Sequence, residues 1–177
     1  MVFGDFDEAN CFHIEISDLY NKDLSRHGIK SVEFVLYRPE KKKLLFVEGK
    51  TSLSNEKSRS SFRREIISIS RKFMDSLQLA CGIWLGGHTG KVKLPSNYAN
   101  FFGRGVKVVF VLVIKRRKDD FDLLYIADAI KEELLREQKI WNFSVLALNE
   151  ARARDNNLVV NEAIQDAGKR VSLSQVK

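Results

Sequence analysis

Cysteine, proline and histidine are scarce in this chain: two, two and three residues among 177. The two thiols, Cys11 and Cys81, are distant in sequence and fit no metal-ligand spacing, which argues against a disulfide-stapled scaffold or a cysteine-rich zinc module. Buried free thiols are expected, and with them a reducing, cytoplasmic setting. His13, His27 and His88 are too scattered to suggest a histidine metal cluster. A long apolar run is also lacking. VKVVFVLVI (106–114) is well short of the roughly 20 residues that a spanning helix needs. The opening MVFGDFDEAN is acidic, with no basic stretch followed by an apolar one, so neither secretion nor membrane insertion is expected. There is no low-complexity segment and no internal repeat.

What is present suits a folded domain. Hydrophobic residues make up 44% and charged residues 30%, a globular balance, and the length fits one domain over 1–177. Its core is expected at about 12–148, with a weakly patterned tail over 149–177. The net charge of +7 is unevenly spread: residues 119–177 carry 8 basic and 11 acidic side chains, which leaves 22 and 12 of the total 30 and 23 for residues 1–118. The first two thirds of the chain are therefore basic. That suits a polyanionic partner, since Lys and Arg bound to phosphates release counterions, although a solvated basic surface reads the same way.

Periodicity divides the core into elements. FHIEI (12–16) alternates as a short strand. SVEFVLY (31–37) and KLLFVEGKTS (43–52) flank RPEKK as a hairpin. Residues 54–80 carry Phe62, Ile66, Ile69, Phe73 and Leu77 at helical intervals, with Ser54 or Asn55 as cap. After a loop-rich stretch at 86–105, the continuous run at 106–114 predicts a strand covered on both faces. Asp119, Asp120 and Asp122 open a helix that turns Leu123, Ala127, Ile130 and Leu134 inward, and FSVLAL (143–148) predicts another inner strand. This order implies an α/β fold, a mixed central sheet with flanking helices.

If Arg38 pairs with Lys43 across the hairpin, antiparallel register places Glu33 opposite Glu48, at the end of a face otherwise formed by apolar pairs. Glu48 and Lys50 share that face because they are two apart on a strand. Directly opposed carboxylates repel, and a divalent cation would relieve the conflict. Oxygen ligands a few ångströms apart suit Mg²⁺, which retains waters able to act as nucleophiles. A solvated sheet edge with a cross-strand Glu–Lys pair is the alternative.

An acidic residue on one hairpin strand, Glu-x-Lys on the next and then a helix resembles the PD-(D/E)XK nuclease superfamily, whose fold is restriction-endonuclease-like. The likeness rests on Glu33 and Glu48-Gly49-Lys50, supported by the order of elements over about 12–115. It implies a nuclease that hydrolyses phosphodiester bonds, DNA favoured over RNA, with Mg²⁺ (or Mn²⁺) bound by Glu33 and Glu48. Lys50 would orient or deprotonate the attacking water. Glu33 stands where the family usually has aspartate, and Val32 replaces the proline that often precedes it. A further acidic ligand is unassigned between Glu8 and Glu15. A non-catalytic nucleic-acid-binding or protein-interaction domain on the same fold is the rival. A homodimer or a place in a larger complex stays open.

Further basic residues are candidate phosphate contacts. Lys57, Arg64 and Arg71 recur every seven residues along the long helix, and Lys115, Arg116, Arg117 and Lys118 close the central strand. Solvated faces account for them equally, as strand-end protection does for Lys41 to Lys43. Tyr98, Phe101 and Phe102 beside Arg104 are expected as core or loop packing, with stacking on unpaired bases as the alternative. GGHTGKV (86–92) departs from a phosphate loop at Leu85 and Val92. Glu137-Gln138-Lys139 repeats the Glu-x-Lys spacing at the end of a helix, without a hairpin.

Overall fold

The strand expected at 106–114 runs Lys107–Ile114 (β5), second from one edge of the main sheet, and its β-branched residues alternate between two covered faces. A computed structural model of the chain describes residues 1–160 apart from 55–57, 89–91, 93, 101–104 and 117–119. In it β5 pairs in parallel with Lys43–Lys50 (β4) on one side and with Ser144–Asn149 (β6) on the other. β4 pairs antiparallel with Phe34–Arg38 (β3), which pairs with Cys11–Phe12 (β2). The result is a five-stranded mixed sheet in the order β2-β3-β4-β5-β6. Two short strands, Val2–Phe3 (β1) and Val159–Val160 (β7), form a separate antiparallel ribbon.

One face of the sheet, with Leu44, Phe46, Phe110, Leu112 and Ile114, packs on two helices: Arg59–Trp84 (α2) and Asp120–Glu133 (α3). The predicted stripes are both buried, Phe62 to Leu77 on α2 and Leu123 to Leu134 across α3 and its end. Phe110 centres this face, stacked on Phe73 at 4.7 Å and edge-on to Phe46 at 5.7 Å. Each such buried side chain contributes about 1.5–3 kcal/mol, so the aromatic contact fixes α2 over β4. The opposite face, with Leu45, Val47, Val109, Val111 and Val113, is covered by Phe3, Phe6, Leu158, Val159 and Ala153 of the helix Glu150–Asp155 (α5).

Several boundaries depart from expectation for local reasons. The strand expected at 12–16 stops at Phe12, because Ser17 bonds back to the Ile14 carbonyl and caps the helix Asp18–Lys22 (α1). α2 begins after Ser58, not at Ser54; the Ser54 amide instead donates to the Glu65 carboxylate at 2.7 Å. The other proposed cap, Asn55, lies outside the described residues, as do Asp119 and the tail 161–177. β6 was expected as an inner strand but forms the sheet edge, leaving Leu146 46% exposed. Helix α3 breaks at Leu134 and resumes as Leu135–Trp141 (α4). Cys11 is a buried free thiol and Cys81 a half-buried one. Among the described residues no helix is long and apolar enough to cross a membrane.

Candidate functional site

The hairpin register is the one the sequence predicts, from Arg38↔Lys43 to Phe34↔Val47. The ladder ends there: Glu33, expected opposite Glu48, lies in a bend just before β3 and outside the paired residues, and it is linked to Glu48 through charge. The strand leading to Glu33 is held by α2: the Lys30 amide donates to Asp75 at 2.9 Å, and the Val32 amide to the buried Ser76 hydroxyl at 2.9 Å. Helix and hairpin are thereby locked together where the acidic residues meet.

Glu48 is fully buried, which is costly for a carboxylate unless it is paired. The compensation comes from two lysines. Lys72, on α2, lies 3.0 Å from Oε2 and 2.9 Å from Oε1, and Lys50 lies 3.4 Å from Oε1. Oε1 is in ion-pair contact but receives no well-aligned hydrogen bond. Lys72 also reaches Glu15 at 3.6 Å. Three glutamates and two lysines thus form one cluster, with Glu33 coupled to the others through its charge.

The electrostatics follow from this geometry. Burial raises the Glu33 pKa, and repulsion from Glu48 and Glu15 adds to the shift against the pull of Lys72 and Lys50. Burial also raises Glu48, only partly offset by its bond to Lys72 and the charges of both lysines. For Lys72, burial alone would favour the neutral amine. The hydrogen bond to Glu48 and the charges of Glu48, Glu15 and Glu33 outweigh it and hold the ammonium above its ordinary range.

The cluster lies at the carboxyl ends of parallel strands β4 and β5, where α/β sheets commonly place their sites. Two candidate phosphate contacts emerge at the same end: the Lys115 amide donates to the Lys50 carbonyl at 2.9 Å, and the Arg116 amide to Thr51 at 3.0 Å. Arg64 and Arg71 are exposed on α2. Lys57, Arg117 and Lys118 lie outside the described residues.

Sequence reasoning missed Lys72 and left Glu15 unassigned against Glu8. Glu8 is exposed, whereas Glu15 meets Lys72 at 3.6 Å. The available signal for Lys72 was its place on the border of the apolar stripe, three residues after Ile69 and one before Phe73. Of the readings open for Tyr98, the structure bears out core packing: the ring is fully buried, and its hydroxyl donates to the Val35 carbonyl at 2.6 Å. It is a core residue. Phe101, Phe102 and Arg104 lie outside the described residues. Gly87 belongs to the end of α2, its amide donating to the Gly82 carbonyl at 2.9 Å. Among the described residues no three His, Cys, Asp or Glu side chains form a ready metal cluster. No protein family, curated protein or solved structure matches the chain.

Proposed function

We propose that the protein is a metal-dependent nuclease hydrolysing phosphodiester bonds in nucleic acid, DNA favoured over RNA, on a restriction-endonuclease-like core of the PD-(D/E)XK type. The observation that supports this most is Glu48: a fully buried carboxylate, coupled through its charge to Glu33 and 3.4 Å from Lys50. Perturbed, paired charges of this kind gather at functional sites. The hairpin β3–β4, followed by α2 and β5, supplies the element order on which the resemblance rests.

The donor set fits a hard cation. Half-buried Glu33 supplies one carboxylate, and Glu48 a second, whose Oε1 a cation would have to share with, or take from, the ammoniums of Lys72 at 2.9 Å and Lys50 at 3.4 Å. Mg²⁺ is usually held by one or two carboxylates, with waters and substrate phosphate completing its shell, so a third protein ligand is not required. When bound, the ion would polarise a phosphoryl oxygen and acidify a water. Lys50, with its side chain 37% exposed, faces outward to orient that water and offset charge developing on phosphate. Lys72 favours the ionised form of Glu48 against its burial and fixes its orientation. Lys115, Arg116, Arg64 and Arg71 draw the polyanion towards the site.

Lys72 also favours a second reading. Its ammonium already bridges Glu48 and Glu15, so the cluster is largely neutralised without a metal, as a non-catalytic nucleic-acid-binding domain would need. Incubating purified protein with single- and double-stranded DNA and RNA in Mg²⁺, Mn²⁺ or chelator separates the two. Cleavage that chelator abolishes is the expected result. Salt-sensitive binding without cutting in either ion supports the second reading, and absence of any binding overturns both.

A further inference from the structure

We infer that the groove between α2 and α3 seats an unpaired nucleotide, so that the substrate is single-stranded or carries an unpaired end. This rests on the nucleic-acid reading of the carboxylate site and adds a substrate class to it. The groove encloses about 760 Å³, within the range of small-ligand pockets. On one side Tyr125 stacks against Phe62, ring centres 5.6 Å apart and planes 23° from parallel. Phe62 is buried while Tyr125 stays 46% exposed, so a rigid ring backed by the core is left partly open to a planar partner.

The rim carries both signs of charge. Arg59 and Arg63, one helical turn apart on α2, are exposed along one side, and Glu132 and Glu133 of α3 line the other. A purely apolar ligand would make no use of these four charges. Duplex keeps its bases stacked and would bring backbone phosphates against the two carboxylates. An unpaired nucleotide matches every part: its base stacks on Tyr125, its phosphate meets the guanidiniums, and its exocyclic amino group donates to a carboxylate. The groove also lies on the helix that carries Lys72. Nine residues separate Arg63 from Lys72, about 14 Å along the axis, a distance that a few nucleotides span.

Binding of labelled oligonucleotides to the full chain in chelator, where cleavage does not interfere, tests this. Tyr125→Leu is expected to weaken single-stranded affinity about tenfold, with blunt-duplex affinity changed less than about twofold and Tyr125→Phe near wild type. Pairing Glu132→Gln with Glu133→Gln is expected to reorder preference among homopolymers. Equal losses on single strand and duplex, or no loss with Tyr125→Leu, would overturn the groove assignment. A chain that prefers single strands through Tyr125 yet cuts nothing in Mg²⁺ keeps the groove and loses the nuclease reading. Thermal melting of each variant controls for folding, and the exposed Tyr125 position makes loss of structure there unexpected.

Discussion

Glu48-Gly49-Lys50 and Glu137-Gln138-Lys139 share a spacing and nothing else. On β4 a separation of two returns to the same face, and the sheet buries Glu48 while Lys50 approaches it at 3.4 Å. On α4 the same separation turns the side chains about 200° apart. That helix contributes no buried residue, and Gln138 between the two donates to the Phe143 carbonyl. Spacing acquires chemical meaning only through the period of its element and through what covers it.

Substitution at both places should separate them sharply. Glu48→Gln and Lys50→Ala are expected to lower Mg²⁺-dependent cleavage by about 10²-fold or more, the usual scale for removing a group that acts on the reacting centre. Glu137→Gln and Lys139→Ala should leave the rate within about twofold. Steady-state cleavage of one oligonucleotide by all four variants checks it, and comparable losses at the two tripeptides would refute the assignment of the strand pair.

Lys72 provides the next largest effect, on stability. Removing one partner of a buried ion pair costs about 3–5 kcal/mol. The Lys72 side chain keeps 21% exposure, so water recovers part of that, and Lys72→Met should cost about 2–3 kcal/mol in urea unfolding. The pH dependence has a definite sign. Glu48 has a raised folded pKa, and losing Lys72 raises it further, so the variant's deficit is largest at neutral pH, where an unpaired carboxylate is buried. It shrinks as pH falls through that pKa and the neutral acid forms. In the wild type the raised Lys72 pKa contributes stability that is fully present below the unfolded lysine value and is lost as pH rises through the folded one. A deficit independent of pH would mean that Lys72 acts by packing alone.

Legibility in the sequence followed the range of the interaction. The register from Arg38 to Phe34 could be read because a short turn and two apolar runs leave few pairings, whereas the bend that takes Glu33 out of the ladder could not. The helical stripes were legible for the same reason. Lys72 was not, since whether a lysine at the stripe's border turns to solvent or to a strand depends on how α2 lies over β4, a tertiary fact. Glu15 was hidden because FHIEI alternates like a strand, while Ser17 ends it by capping α1. The edge position of β6 was equally illegible: apolar strands look alike until the sheet order is known. Whether Tyr98 packs in the core or in a loop was not legible, because its hydroxyl partners, Val35 and Asn10, are remote in sequence.

The smallest effect is expected at Gly49, the middle of the strand tripeptide, and it tests whether the two faces of β4 are independent. Gly49 faces away from Glu48 and Lys50, and a Cβ there would lie 3.0 Å from Met1 Cε and 3.0 Å from Phe3 Cζ. Both are ends of side chains that can shift, and alanine lowers the backbone entropy lost in a strand. Gly49→Ala should therefore cost only about 1 kcal/mol, at the low end of overpacking, with cleavage within about twofold of wild type. Thermal melting alongside the cleavage assay reads both quantities. If cleavage collapsed while stability held, the packing under β1 would be setting the position of the carboxylates, and chemistry on one face of the strand would depend on the fit of the other.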